Sequence, residues 1–410
     1  MKYVVLIGDG MADHGLAELG GLTPLEKAFT PNMDRLAREG LRGMVRTVPE
    51  GRHPGSDVAN LSIMGYDPAR YYTGRAPLEA ASIGVELADT DVAYRCNLVT
   101  LSFDKEKSRA YMDDYSAGHI STAEAGELIK AVDARRSSPE VRFYPGVSYR
   151  HLMVWAGGKD GAECTPPHDI LGKEISDYLP LGDGAEFLRE LMLSSVGTLE
   201  AHEVNKARAR EGKKPANSIW LWGQGRKPAL PSFREKFGLD GALVSAVDLT
   251  KGLGKYLGLE ILNVPGATGY LDTNYAGKAE YALKALERLD FVYIHVEAPD
   301  EASHAGDLKA KMKAIEDFDA LVVGGVLRGM KAFQDYAILL LPDHPTPVGL
   351  RTHTGEPVPF AIYSSRQRRR GEGGGFSEAI GREPGALRVE RGHELMELFI
   401  KTGAKEEAGR

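Results

Sequence analysis

Val4-Val5-Leu6-Ile7-Gly8-Asp9-Gly10 decides the fold of this chain: an apolar run that ends in an acid inside a tight turn. The pattern recurs twice, in Val292-Tyr293-Ile294-His295-Val296 leading to Asp300, and in Ile338-Leu339-Leu340-Leu341-Pro342-Asp343. Short continuous apolar runs bounded by turn residues read as strands buried on both faces, as in a parallel sheet. Carboxylates at their ends are costly to desolvate unless something positive pairs with them. The carboxyl ends of an open parallel sheet are also where ligands bind. The three runs thus predict an α/β fold and the place of its chemistry.

Outward from these runs, strands alternate with helices. Strand Lys2–Ile7 leads to a helix near Asn32–Glu39, entered from Thr30-Pro31, with threonine suited to the cap and proline to the first turn. Apolar residues at Ala279, Ala282, Leu283, Leu286 and Leu289 predict a helix over Asn274–Leu289. Strand Phe291–Val296 follows, then a helix near Leu308–Leu327, strand Tyr336–Leu341 and a short strand at Pro359–Tyr363. Such alternation indicates a mostly parallel sheet flanked by helices. Between about Val92 and Pro215 the pattern mixes short strands (Val141–Tyr144, His151–Trp155) with helices near Ala123–Val132 and Ala185–Arg208. The polar run Asn205–Lys214 reads as a hinge or a solvated helix end, and a strand resumes at Asn217–Trp222. The organisation expected is a discontinuous core, residues 1–92 and 216–410, with a smaller α+β domain inserted over 93–215. Arg366–Gly375, rich in arginine and glycine, reads as a surface loop.

A length of 410 residues accommodates two domains with sizeable cores. A hydrophobic fraction of 42% with 27% charged residues is that of a soluble globular protein. The net charge of -7 argues against a nucleic-acid or anionic-membrane surface, which would favour a basic face. Cys96 and Cys164 make no disulfide framework and no CxxC pair, so they read as reduced thiols. No segment approaches the roughly 18 apolar residues of a membrane span, and the short run ending at Ile7 is a first strand rather than a secretory signal. The cytoplasm is the expected location.

Seven residues have the chemistry and spacing of metal ligands: Asp9, Ser56, Asp300, His304, Asp343, His344 and His353. Aspartate, histidine and an alkoxide oxygen suit zinc or manganese, and two such ions suit phosphoryl transfer. Each residue alone can equally be a helix cap or a turn former. Three strand-end aspartates with three histidines downstream favour a metal site. Gly8-Asp9-Gly10 stands where a dinucleotide fingerprint would, but GDGMADHG lacks the third glycine and puts an acid where pyrophosphate would bind. No GxxxxGK[ST] motif occurs. In His53-Pro54-Gly55-Ser56-Asp57-Val58, a tight turn enters a helix, and Ser56 is either its cap or a nucleophile at a helix N-terminus that can also hold phosphate.

Taken together, Gly-Asp-Gly after the first strand, Pro54-Gly55-Ser56-Asp57, Asp300-x-x-x-His304, Pro342-Asp343-His344 and His353-Thr-Gly-Glu-Pro-Val-Pro resemble the cofactor-independent phosphoglycerate mutases. The chain length and Gly65-Tyr66-Asp67-Pro68 with Tyr72-Thr73-Gly74-Arg75 are similar to the shorter, archaeal-type branch. The resemblance implies the alkaline phosphatase superfamily fold and two ion sets: Asp9, Ser56, Asp343 and His344 in one, Asp300, His304 and His353 in the other. It implies Ser56 as the nucleophile that takes the phosphoryl group and returns it, two divalent ions (manganese or zinc, with magnesium a further option), and no bisphosphoglycerate. The partner implied is a small phosphorylated substrate, over which the inserted domain closes to keep water out.

Phosphate and carboxylate recognition calls for arginine forks. Arg75, Arg95, Arg150 and Arg226 stand in motif-like settings, with His151, His168 and Asp169 as further candidates; Arg95 and His151 lead this group. His393, at the start of the last helix, is not expected to be a ligand. Ser56-Asp57-Val58-Ala59-Asn60 and Ala81-Ser82-Ile83-Gly84-Val85 also resemble a bacterial side branch proposed as homoserine kinases. A homoserine kinase-like phosphotransferase is therefore the alternative to the mutase, with a phosphomonoesterase behind both.

Overall fold

The three acid-ending runs are strands that lie side by side. The computed structural model describes residues 1–104, 106, 108–367 and 374–404, so most of the arginine- and glycine-rich stretch lies outside the described residues. In chain order the first strands are β1 (Lys2–Gly8), β2 (Leu41–Val45), β3 (Val92–Phe103), β4 (Ala110–Asp114) and β5 (Val141–Tyr144). Next come β6 (Arg150–Trp155), β7 (Ala162–Glu163), β8 (Leu181–Gly182), β9 (Ser218–Arg226) and β10 (Gly241–Val244). The rest are β11 (Glu260–Ile261), β12 (Phe291–Val296), β13 (Tyr336–Leu341), β14 (Val358–Ser364) and β15 (Leu387–Val389).

Contacts divide the chain into two units, Met1–Tyr72 with Leu230–Arg410, and Thr73–Ala229. The first holds an eight-stranded sheet in the order β11-β10-β12-β1-β13-β14-β2-β15. The five strands from β11 to β13 run parallel, whereas β14 is antiparallel to both its neighbours. Ile7 pairs with His295 on one side and with Leu341 on the other, so β12, β1 and β13 end level. That register brings the turns after the three strands together. Every residue of β12 and β13 is buried, as the continuous apolar runs require.

Helices of this unit follow the sequence with local differences. The helix Pro31–Glu39 forms, but the Thr30 side chain does not cap it. Asp319 does so from afar, accepting from the Met33 N–H at 2.7 Å and from the Asn32 side chain at 2.8 Å. The expected Leu308–Leu327 helix is continuous in course but not in type. Leu308–Asp317 is α-helical, Phe318–Val323 is a π turn, and Gly324–Gly329 is α-helical again. The π turn contains Asp319, the residue that leaves this helix's side to cap the other.

The second unit is α+β. Its sheet runs β4-β3-β6-β5 with β9 on the other side of β3, all antiparallel. Its core includes Leu128, Ile129 and Val132 of helix Thr122–Arg136, and Leu188, Leu191 and Leu199 of helix Ala185–Glu200. The unit takes in chain on both sides of residues 93–215. Ala76 and Ala80 of helix Ala76–Ser82 pack on Ala93 and Leu152, and β9 pairs along β3. The long helix expected over Ala185–Arg208 breaks after Glu200, and a second helix spans Glu203–Arg210. The polar run at its end is a solvated helix end, with Lys206 and the six residues from Ala209 to Lys214 exposed, pinned by two buried side chains. Asn205 is buried and bonds to the Leu199 and Ala216 carbonyls, and buried Arg208 bonds to Glu124, the Ala117 carbonyl and the Lys214 carbonyl. Among the described residues, no helix is long and apolar enough to cross a membrane.

Candidate active site

Three loops at the carboxyl ends of β12, β1 and β13 carry the acids. Asp9 leaves β1, Asp300 lies in the first turn of helix Ala298–Ala305, and Asp343 follows β13; all three are buried. Three trios have ligand atoms within 4.8 Å of one another: Asp300 with His304 and His353, Asp9 with Asp300 and His344, and Asp9 with His295 and Asp343. In the first trio, His304 Nε2 lies 3.2 Å from Asp300 and 2.9 Å from His353 Nε2. The helical spacing of Asp300 and His304 puts both on one face, as i and i+4 must be. In the others, His344 Nε2 is 3.5 Å from both Asp9 and Asp343, and His295 Nε2 is 3.1 Å from Asp9.

Ser56 completes this set. Gly55, not Ser56, is the N-cap of helix Ser56–Ile63, so the hydroxyl is not spent on capping. Its Oγ lies 3.1 Å from His344 Nε2. Asp57 instead turns onto its own helix, accepting from the Val58 N–H at 2.9 Å, and is held by the Tyr72 hydroxyl.

The electrostatics show what the cluster requires. Burial, and then the neighbouring carboxylates of Asp343 and Asp300, push Asp9 well above the usual carboxylate range. Against its burial, hydrogen bonds from His304 and His353 hold Asp300 well below that range. The same bond to Asp300 raises His304 to about 9. Burial lowers His344, and lowers His295 to about 4. Asp9 Oδ1 and His295 Nε2 are buried without a hydrogen-bond partner. Buried carboxylates facing imidazoles, of which burial favours the neutral form at His295 and His344, with orphaned ligand atoms between them, form a donor set that fits divalent cations.

In the second unit a guanidinium is buried instead. Arg95, on β3, is 6% exposed, and burial lowers it to about 10 against the pull of Glu79. Its Nε donates to Glu79 at 2.9 Å and its guanidinium lies 4.1 Å over the Trp222 ring. Arg75 Nε reaches the other Glu79 oxygen at 3.3 Å. Gly223, at φ +62, lets β9 pass close by: a Cβ there would meet Arg95 Cδ at 3.2 Å. Arg150 lies over the Tyr149 ring, and its charge and that of Arg75 both act on Arg95. His168 meets the Trp222 ring edge-on, with Asp169 beside it, both on the surface. His151 is 2% exposed; Nδ1 accepts from the Gly146 N–H at 2.9 Å while Nε2 has no partner, and burial lowers it to about 3. Arg226 is spent within the unit, on Asp160 and on the Thr90 and Gly158 carbonyls.

The model of the family described as 2,3-bisphosphoglycerate-independent phosphoglycerate mutase matches residues 37–205. A probable 2,3-bisphosphoglycerate-independent phosphoglycerate mutase of Geobacter sulfurreducens is 57% identical over 400 residues, covering 98% of this chain and all of that one. The corresponding mutase of Methanosarcina acetivorans is 58% identical over 366 residues, 88% of this chain and 90% of the relative. The chain belongs to the 2,3-bisphosphoglycerate-independent phosphoglycerate mutase family. Among solved structures, a Pyrococcus horikoshii protein superposes with a TM-score of 0.83 at 30% identity, covering 100% of this chain and 99% of that one. The cofactor-independent phosphoglycerate mutase of Thermoplasma acidophilum does so with a TM-score of 0.66 at 27% identity, over 98% of this chain and all of that one.

Within this family fold, four polar residues join the cluster that sequence reasoning did not single out. Thr346 Oγ1 donates to Asp300 and lies 3.2 Å from His344 Nδ1, linking two of the trios. Asn60 Nδ2 donates to Asp343 at 2.9 Å and to the Ser56 carbonyl at 2.8 Å, and the Tyr293 hydroxyl donates to its Oδ1. Of these, Asn60 was in view only as part of the serine motif. His295 had a signal of its own: a lone histidine in a strand otherwise made of apolar residues. His393 stays outside the cluster; its nearest acidic contact is Asp67 at 3.9 Å.

Proposed function

We propose that this chain interconverts 3-phosphoglycerate and 2-phosphoglycerate through a phosphoserine formed on Ser56. The observation that carries the reading is the Ser56 hydroxyl, free of capping duty, set 3.1 Å from His344 within the cluster of buried carboxylates and histidines. Relatives more than 50% identical over most of the chain are named phosphoglycerate mutases, which supports the substrate. Asp300, His304 and His353 would hold one divalent ion, and Asp9, Asp343 and His344 with Ser56 the other. When bound, such ions supply Lewis acidity that favours the serine alkoxide and neutralises charge on the transferring phosphoryl group. Manganese or zinc suits this donor set, with magnesium a weaker match to imidazole.

The chain's own residues then divide the work. Ser56 Oγ bonds to phosphorus as the bond to the glycerate oxygen breaks, the serine proton ending on that oxygen. In return, the other glycerate hydroxyl attacks the phosphoserine, the bond to Ser56 Oγ breaks, and the hydroxyl proton ends on the freed serine. Asn60, bonded to the Ser56 carbonyl and to Asp343, fixes the nucleophile's helix against the acid. Thr346 fixes Asp300. Arg95, Arg75 and Arg150, with His151, would recognise the phosphate and carboxylate of the substrate, since guanidinium forks match both groups. Arg226, His168 and Asp169 would serve their support. We place the reaction in the cytoplasm.

The test is a coupled assay: manganese-loaded protein, 3-phosphoglycerate, and enolase to report 2-phosphoglycerate. Turnover at the rate of an ordinary enzyme is expected. No turnover, together with ATP-dependent phosphorylation of homoserine, would replace the mutase by the kinase.

A further inference from the structure

We propose that His295 is itself a ligand, through Nε2, of the divalent ion attributed above to Asp9 and Asp343; the inference rests on that two-ion reading. The argument begins with the register. His295 is the fifth residue of β12 and pairs with Ile7, two residues before Asp9, so its ring stands at the strand end beside the acid. It is fully buried. Its Nε2 lies 3.1 Å from Asp9 Oδ2, yet it has no hydrogen-bond partner. The two atoms are at hydrogen-bond distance without being aligned as donor and acceptor.

That geometry is unfavourable for the pair on its own. If Nε2 carried the proton, a buried N–H would be left unsatisfied, at a cost of roughly 1–3 kcal/mol. If Nε2 is bare, its lone pair faces an electron-rich carboxylate at 3.1 Å. A positive charge bound by both atoms removes either penalty. Asp9 Oδ1 is also buried and unpartnered, and Asp343 offers a third ligand atom within 4.8 Å of the others.

The far side of the ring suits this role. Nδ1 lies 3.4 Å from Ser245 Oγ, which already accepts from the Val247 N–H at 3.0 Å and is thereby fixed in place. With its proton on Nδ1, His295 donates to Ser245 and presents a bare Nε2 to the acids. Metal-bound histidines commonly have their second nitrogen anchored in this way. The backbone is held as well: the buried Lys278 Nζ donates to the His295 carbonyl at 3.1 Å. The cation of Lys278 is thus engaged with the main chain and does not take the place of a metal at the ring. His295 and His344 would approach the same ion from different strands, β12 and the turn after β13.

The deciding experiment uses the full chain, labelled with 15N-histidine and loaded with 113Cd. Scalar coupling to the metal is expected for four imidazoles: His295, His304, His344 and His353. Coupling for the last three only, with His295 uncoupled, overturns the inference and leaves the two-ion reading intact. Coupling of His295 in a protein that binds fewer than two ions and turns over no phosphoglycerate would sink the functional reading and keep the ligand. The second measurement is ion affinity in His295→Asn and His295→Gln, by competition with a chelating dye. The Asp9–Asp343 ion should be lost or weakened by at least about 100-fold, more than an outer-shell change gives, while the Asp300–His304–His353 ion keeps its affinity. Unchanged affinity for both ions in a folded variant overturns the inference. Should both variants fail to fold, the coupling pattern of the unaltered protein decides alone.

Discussion

The acid cluster of the first unit and the Arg95 shelf of the second bury opposite charges and compensate them differently. In the first, Asp9, Asp300 and Asp343 converge at three strand ends, and the groups facing them are imidazoles, of which His295 and His344 are pushed toward neutrality by burial. In the second, Arg95 is buried against Glu79 and stacked on Trp222, so the partner is supplied by the chain. On the proposed reading, the first cluster is completed by divalent cations, whereas the second is a guanidinium already paired within the chain. If the proposed function holds, the difference teaches where each half of the reaction is exposed to mutation. Changes in the first unit should remove chemistry, and changes in the second should alter recognition and stability together.

The largest effect should come from Ser56→Ala. Loss of the nucleophile is expected to cut kcat by at least about 10³-fold, in line with removal of other covalent nucleophiles. The fold should be unaffected, because Gly55 rather than Ser56 caps the helix. Melting temperature and phosphoglycerate turnover, measured on the same preparation, check both halves. Retained activity would take Ser56 out of the mechanism and erase the contrast between the units.

The two sites were not equally legible in the sequence. Each acid of the first unit follows its own strand, so a local reading of Asp9, Asp300 and Asp343 already fixes which end of the sheet they share. Asp300 and His304 are one helical turn apart, and Asp343 and His344 are adjacent; spacing alone groups them. Ser56 is remote in sequence; its Pro-Gly turn leaves it either a cap or a nucleophile, and it is the family resemblance that favours the nucleophile. The second unit's shelf has no such local signature. Glu79 comes from a helix, Arg95 from β3 and Trp222 from β9, and their meeting depends on the antiparallel pairing of β3 with β9. Arginine-rich settings could be noted there, but not which arginine is buried. The same limit hid the Asp319 cap, since a π turn is not visible as a break in apolar spacing.

Glu79→Gln tests whether the shelf is as self-contained as its geometry suggests. Arg95 is almost fully buried, so removing its carboxylate leaves a buried charge without a partner, which typically costs about 3–5 kcal/mol. Glu79 also orients Arg75, so KM for phosphoglycerate should rise several-fold while ion binding stays unchanged. Denaturant unfolding and an ion titration separate these outcomes. A loss of ion binding on this change would contradict the division of labour between the units.

A smaller effect should appear in the first unit when ions are withheld. His304 is raised to about 9 by its bond to Asp300, against about 6.5 for the unfolded ring. Its folded form therefore binds the proton more tightly, and that stabilisation is fully present below pH 6.5. It is lost as pH rises through about 9. The ring is partly exposed, so the contribution is discounted for solvent screening to about 1–2 kcal/mol. Chelator-treated protein should lose that stability between pH 6.5 and 9, whereas ion-loaded protein should not. Ion binding near pH 7 should also release about one proton, because the ligand must be deprotonated. Titration calorimetry in buffers of different ionisation enthalpy reads this directly. No proton release would mean that the ion does not displace the proton of His304.

Arg226→Lys should have the smallest effect, and it separates the two kinds of arginine within the second unit. The guanidinium of Arg226 joins Asp160 to the Thr90 and Gly158 carbonyls, tying loops that flank the sheet. Lysine keeps the charge but not the fork, so some of these bonds are lost. The group is partly exposed and water can replace them, which limits the cost to about 1 kcal/mol. KM should change less than about twofold, because a side chain already spent on three partners has little left for substrate. The same substitution at Arg95 gives up the Trp222 stack as well as the fork, and should raise KM by about tenfold or more. If Arg226→Lys raised KM as much as Arg95→Lys, loop anchoring and recognition would not be separate duties. The shelf would then extend to the Asp160 loop, and the second unit would recognise substrate through a wider set of residues than the Arg95–Glu79 pair and its stacked tryptophan.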